Sequence, residues 1–408
     1  MLATLIPLFD DNLNVSGYSI FTQKRNLLSE PSFAGTARYD GMTDIAGLDL
    51  IESMGVKTLS DDREVFVEVN NVSIFSDISS QCSAPHEKIV LLIDQSVVPD
   101  DNYINRLKEL KSQNYKLAIR KLPIEKFESY RPILSLMNYI LLNHKKINIK
   151  NAKIYFGKIF PELKLVAVNV DTQEDFDKLK ADGGYSFYEG TFFRTPLSET
   201  QNAVAPLKIN YIELLNIIND ADFDLTKAAD VIGRDTALVI SLLKMVNHMA
   251  VNSEITSVRH AAAMLGQKEL KRWINTAVTK ELCADRPSEI MRVSLLRAKF
   301  AENLAPSFEI AGLSSELFLM GLFSVLDVIL EKPMEEALKM VKVSKNISNA
   351  LINHEGPLYP VLNFIMEYEN ASWQEVSRLM LLDNIDMKKV YEAYISSLTW
   401  YRDLLDMK

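Results

Sequence analysis

Histidines, cysteines and carboxylates are the groups with which this chain could hold a metal or attack a substrate, so their spacing is weighed first. The five histidines, His86, His144, His248, His260 and His354, stand singly, and none is followed by aspartate. No helix can therefore present the adjacent His-Asp pair that closes a metal site with further His or Asp ligands. His248 and His260 sit among alanines and methionines, where packing or capping is the plainer role. Cys82 and Cys283 are far apart and outside any CxxC spacing, which indicates neither a disulfide framework nor a thiolate zinc site and fits a reducing cytoplasm. GxGxxG, GxxxxGKS/T and GxSxG are absent, and Gly183-Gly184 before a strand reads as a turn rather than a phosphate cradle.

Charged and amide side chains also mark the ends of strand-like runs: Glu68 in FVEVN, Asp94 in LLID, Arg120-Lys121 after YKLAI, Asn143 in YILLN, and Asn169 and Asp171 in VAVNVD. Arg120 and Lys121 suit phosphate oxygens in principle, although basic residues at a strand end more often pair with a local carboxylate.

A scaffold of alternating elements must position these residues. Leu5 to Leu8 and Val15 to Thr22 read as strands around the polar turn Asp10-Asp11-Asn12, an antiparallel hairpin. Strands are then predicted at 64–69, 88–94, 115–122, 139–145, 164–170 and 185–193, with helices at 47–55, 103–114 and 172–184. Such alternation predicts a parallel sheet with enough βα units to close a (β/α)8-like barrel. Thr195-Pro196-Leu197-Ser198 reads as a boundary, and from Tyr211 onward the pattern is all-α. Two domains, 1–196 and 197–408, suit the length of 408 residues.

Within the helical part, Ala237 to Ala277 reads as three helices. Leu238, Ile240, Leu242, Leu243, Met245 and Val246 form a broad apolar face predicted to be core. Asn247-His248 end the first helix, Asn252-Ser253 give a turn, and Thr256-Ser257 cap a second helix that stops at Gly266. Met245, Met249, Met264, Met320 and Met340 read as core filling. Lys268, Lys271 and Arg272 recur at helical spacing around Trp273, which predicts one exposed stripe suited to a protein partner.

A net charge of −9 and a pI near 5.3 argue against nucleic acid or an anionic membrane as partner. No basic n-region opens the chain and no run reaches about 18 apolar residues, so an unexported chain without membrane insertion is expected.

The first half, about Leu2 to Pro196, resembles the EAL domain. GYSI at Gly17–Ile20 stands where that family has its Glu-x-Leu signature after Gly-Tyr, and DTQEDFDKLKADGGYSFYEGTFF matches its last helix and strand. The resemblance implies a barrel of the kind that hydrolyses cyclic di-GMP with two metal ions held by carboxylates at strand ends. It equally implies lost ligands. Ser19 replaces the signature Glu, Glu68 an Asn, Leu92 a Glu, and Arg120-Lys121 a pair of aspartates. Leu141 and Asn143 replace a Lys and an Asp, Val168-Asn169 a Glu-Lys pair, and Asp171 is a shorter stand-in for the last Glu. Two cations about 4 Å apart need convergent hard oxygen donors, and +2 in place of two carboxylates would repel them.

The second half, about Leu207 to Trp400, resembles the HDOD domain, a degenerate relative of the HD and HD-GYP metal-dependent phosphohydrolases. LLKMVNHMA, EITSVRHAAAMLG and KELKRWI carry the likeness. GLFSVLDVI then puts Ser324 and Val325 at the ligand positions, with Asp327 displaced by two. The whole implies a bacterial EAL-HDOD signalling protein with both centres degenerate, needing no cofactor and acting through protein contacts, with a second copy of the chain as one candidate partner. The alternatives are a non-hydrolysing cyclic di-GMP receptor using Arg120 and Lys121, which the lost signature disfavours, and a residual phosphodiesterase.

Overall fold

The computed structural model describes residues 1–26, 28, 44–147, 149–194, 206–220, 222–249 and 255–406. Its contacts divide the chain into two units, Met1–Thr195 with Phe364–Leu398, and Pro196–Asn363 with Thr399–Lys408. The segment 364–398, read from sequence as part of the helical domain, therefore packs with the first unit. The expected boundary at Thr195 to Ser198 and the turn at Asn252-Ser253 lie outside the described residues.

The first unit is a closed eight-stranded barrel in sequence order. Its strands are β1 (Leu2–Phe9), β2 (Val15–Gln23), β3 (Glu64–Glu68), β4 (Ile89–Ile93), β5 (Lys116–Arg120), β6 (Tyr139–Asn143), β7 (Lys164–Val168) and β8 (Phe187–Glu189). Apart from β1, which is antiparallel to β2 and to β8, every pairing is parallel. The five residues 10–14 between β1 and β2 leave no room for a crossover, so the hairpin has to reverse direction. β4 is buried at all of its positions, as in a strand covered on both faces. Leu8, Phe66, Val90, Leu92, Ala118, Tyr139, Leu141, Val166 and Val168 fill the barrel interior.

Numbering the helices of eight residues or more, α1 (Ala46–Met54), α2 (Asp101–Ser112), α3 (Ile149–Ile159) and α4 (Gln173–Asp182) connect strands. Asp100 and Thr172 cap α2 and α4, accepting from Tyr103 N at 3.0 Å and Asp175 N at 3.1 Å. α3 escapes the sequence reading: aromatic and β-branched residues in IKNAKIYFGKI weaken its helical signal.

The second unit contains α5 (Pro206–Ile218), α6 (Leu225–Ile232), α7 (Thr236–Met249), α8 (Val258–Leu282), α9 (Ser288–Leu304) and α10 (Ser314–Phe323). Ser257 caps α8 by accepting from His260 N at 3.5 Å. At Gly266, φ is +73° and the helix breaks into two segments, which is the stop read from the sequence, reached at little cost because glycine has no Cβ. Asn247 does more than end α7: its side chain donates to Ile255 O at 2.9 Å and accepts from Ile255 N at 2.7 Å.

The broad core face expected on α7 is narrower than its composition suggests. Leu238, Leu242 and Val246 are buried, Leu243 and Met245 are half-buried, and Ile240 is 49% exposed. Spacing by four places the three buried residues on one ridge, which is all that a helix packed along one side can cover. Of the methionines, Met320 is buried whereas Met264 is 48% exposed. The helices α11 (Tyr359–Glu369), α12 (Trp373–Leu382) and α13 (Met387–Asp406) complete the chain.

Candidate functional site

Barrel register gathers the expected site positions at the C-terminal ends of the parallel strands, with Glu68 opposite Leu92, Arg120 opposite Leu141, and Val168 opposite Glu189. Leu92, Leu141 and Val168 are hydrocarbon within the core cluster. Above them lies a charged group built on Arg120. Its Nη1 donates to Glu68 Oε1 at 3.2 Å, its Nη2 is 3.9 Å from Glu189 Oε1, and its guanidinium carbon lies 4.7 Å from the centre of the Phe21 ring. Ser19, fully buried, donates its hydroxyl to Glu189 Oε2 at 2.8 Å.

Arg120 is thus the cation between two carboxylates, at the strand ends where the resemblance places a pair of aspartates. Burial explains its choice of partners: the Glu189 side chain is 8% exposed and would carry an uncompensated charge without Arg120 and Ser19, whereas Glu68 is 43% exposed and partly solvated. Glu189 was missed in the sequence. Its signal is weak, a single acid closing the aromatic strand FYE, and only barrel closure brings it to Ser19 and Arg120.

Other expected positions fall elsewhere. Lys121 is exposed with φ +56° and makes none of the Arg120 contacts. Asn143 Nδ2 donates to Asn169 Oδ1 at 3.0 Å, His144 Nε2 lies 2.8 Å from Asn169 O, and Asp171 pairs with Lys145 at 2.5 Å. Among the described residues, no group of three or more His, Cys, Asp or Glu side chains is arranged to hold a metal ion.

In the helical unit, α9 and α10 touch backbone to backbone. A Cβ on Gly321 would stand 2.5 Å from Ala298 N and Arg297 O, so only glycine fits. At this contact Arg297, 5% exposed, donates from Nη1 to Ser324 Oγ at 3.1 Å, and Ser324 Oγ donates to Gly321 O at 2.7 Å. Val325 is buried. Burial raises the Asp327 carboxyl above its ordinary range, with the Arg297 charge acting in the opposite direction. In the first set of expected ligand positions one is itself a half-buried arginine, Arg120, and in the second a buried arginine from the neighbouring helix, Arg297, donates to Ser324.

Comparison with known proteins finds a family match inside the second unit. Residues 205–353 match the HDOD domain. The uncharacterized protein YuxH of Bacillus subtilis is 26% identical over 416 residues, covering 98% of this chain and 98% of its own length. Cyclic di-GMP phosphodiesterase CdgJ of Vibrio cholerae serotype O1 is 27% identical over 326 residues, 78% of this chain and 74% of that one. The chain is an EAL-HDOD two-domain protein. Among solved structures, a standalone versatile EAL protein from Vibrio cholerae O395 in its c-di-GMP-bound form is 17% identical, over 50% of this chain and 95% of that chain, with a TM-score of 0.35. Among the described residues of the EAL-HDOD chain, no helix is long and apolar enough to cross a membrane.

The four residues expected to form one exposed stripe of the HDOD domain diverge. Lys268 is exposed, but Lys271, Arg272 and Trp273 are half-buried. Lys271 Nζ sits 4.7 Å from the centre of the Phe223 ring, and burial lowers its pKa. Arg272 pairs with Glu302 at 2.7 Å, and Trp273 lines a cavity. Lys271 and Arg272 are consecutive and so lie about 100° apart around the helix axis, which sends them to different neighbours.

Proposed function

We propose that this EAL-HDOD protein works in cyclic di-GMP-related signalling without catalysis, through contacts with a protein partner, both ancestral centres being degenerate. The observation that carries the reading is Arg120 between Glu68 and Glu189, above the hydrocarbon of Leu92, Leu141 and Val168. A metal-dependent phosphodiesterase needs cations where this barrel has a guanidinium, and a fixed positive charge there opposes divalent binding by simple repulsion. Arg297 bonded to Ser324 supports the same reading for the helical domain. Because Arg120 is already paired, its charge is largely spent on internal acids, which speaks against a receptor that grips a dinucleotide phosphate through it.

The deciding experiment incubates the full chain with cyclic di-GMP and magnesium or manganese, following both hydrolysis and heat of binding. No turnover and no saturable binding are expected. Metal-dependent turnover lost in Glu189→Gln would overturn the reading. Binding without turnover, lost in Arg120→Ala, would establish the receptor instead.

A further inference from the structure

The second unit holds a cavity of about 400 Å³, partly open to solvent, between α7, α8, α9 and the last turns of α13, within the size range of small-molecule sites. Its wall has two chemistries. Leu238, Met245, Leu265, Trp273, Trp400 and Leu404 supply apolar surface, while Arg272 and Lys299 bring cations to it.

Those two cations share one carboxylate, Arg272 Nη2 bonding Glu302 at 2.7 Å and Lys299 Nζ at 2.8 Å. The guanidinium is held in place by aromatic rings, its carbon 5.3 Å from the centre of Phe318 and 6.0 Å from that of Trp400. An arginine has five N–H donors, and among the described residues the guanidinium of Arg272 makes its hydrogen bond through Nη2, to Glu302. A flat cation of fixed orientation with donors to spare, beside two tryptophans, is the chemistry that recognises an aromatic anion.

We propose that this cavity binds a small amphipathic monoanion, with an apolar, preferably aromatic body against Trp273 and Trp400 and a carboxylate or sulfonate head on Arg272. The charge balance sets the limit of one. Arg272, Lys280 and Lys299 line the cavity with Glu269 and Glu281, and Glu302 behind them brings three cations against three carboxylates. A single negative head can be satisfied by the spare donors of Arg272, whereas a polyphosphate would meet too little positive charge. The inference does not rest on the role proposed for the barrel, since every residue it uses belongs to the second unit.

The test titrates the full chain with anilinonaphthalene sulfonate, a monoanionic aromatic probe, and with phenylnaphthylamine, its neutral counterpart. One saturable sulfonate site per chain is expected, competed by decanoate, with the neutral probe weaker. Arg272→Gln should weaken the sulfonate by about tenfold or more, as for loss of one hydrogen bond to a charged group, while changing the neutral probe little. Ser241→Phe, an exposed helical position on the cavity wall, should block both probes without altering the melting temperature. The proposal falls if the neutral probe binds as tightly as the sulfonate, or if a folded Ser241→Phe variant still binds both. Should Arg272→Gln not fold, the two probes and Ser241→Phe decide alone.

Discussion

Arg120 and Arg297 show how single side chains settle what a polar position does. Arg120→Ala would leave Glu189 buried beside Ser19 without its cation. We expect the variant to lose about 1–3 kcal/mol in denaturant unfolding, the cost of an uncompensated charged group. Arg120→Ala combined with Glu189→Gln should recover much of that loss, and equal losses in the single and double variants would show that the pair is not coupled. Asp327 gives a pH test. Burial raises its carboxyl above the ordinary carboxylate range, so the folded chain holds this proton more tightly than the unfolded chain. Its contribution to stability is present below the ordinary carboxylate pKa and declines as pH rises through the raised value. Asp327→Asn should thus be more stable than the parent at neutral pH, with the difference vanishing in acid. A gain of the same size at both pH values would contradict the assignment.

Helix α7 shows that composition alone overstates an element's buried face. Its apolar residues wrap widely around the axis, yet among the side chains described only the ridge Leu238, Leu242 and Val246 is buried. Leu242→Ala should cost about 2–5 kcal/mol through lost burial and a residual cavity. Ile240→Ala, at an exposed position, should change stability by less than about 0.5 kcal/mol. Thermal or denaturant melts of the two variants check the contrast, and similar losses would mean that Ile240 is covered. At the break in α8, Gly266→Ala should cost about 1–3 kcal/mol, because the residue is held at φ +73° and ψ 171°, a region essentially confined to glycine.

At the scale of the molecule, the barrel's unit is completed by residues from near the other end of the chain. β8 pairs with β1 only at Leu8 and Phe9, which leaves the start of β1 without that neighbour. There the Tyr368 hydroxyl donates to Ala3 O at 2.8 Å and accepts from Ala3 N at 3.2 Å. Gln23 Nε2 donates to Ser377 Oγ at 2.9 Å, and Arg194 pairs with Glu369 at 2.7 Å. Tyr368 is buried among Phe364, Trp373 and Tyr394. Tyr368→Phe should cost about 1–3 kcal/mol, since it strands a buried amide and carbonyl. A fragment ending at residue 196 should unfold less cooperatively than the intact chain, because it lacks 364–398; a sharp independent melt of the fragment would show that the barrel does not need the segment.

The strands of the barrel and most of its helices were legible in the sequence because their signals are local: alternation with a period of two, apolar runs, a cap at Ser257, and a stop at Gly266. The candidate positions Ser19, Glu68, Arg120, Ser324 and Val325 come instead from the resemblance of short runs such as GYSI and GLFSVLDVI to family motifs. What those residues do is not a local property. Glu189 meets Arg120 only when the barrel closes, Tyr368 reaches Ala3 only when the final helices fold back, and Arg272 turns from a surface stripe into a cavity wall only when Phe318 and Trp400 arrive. The free energy of a polar side chain depends on its partner and its burial, and tertiary packing supplies both.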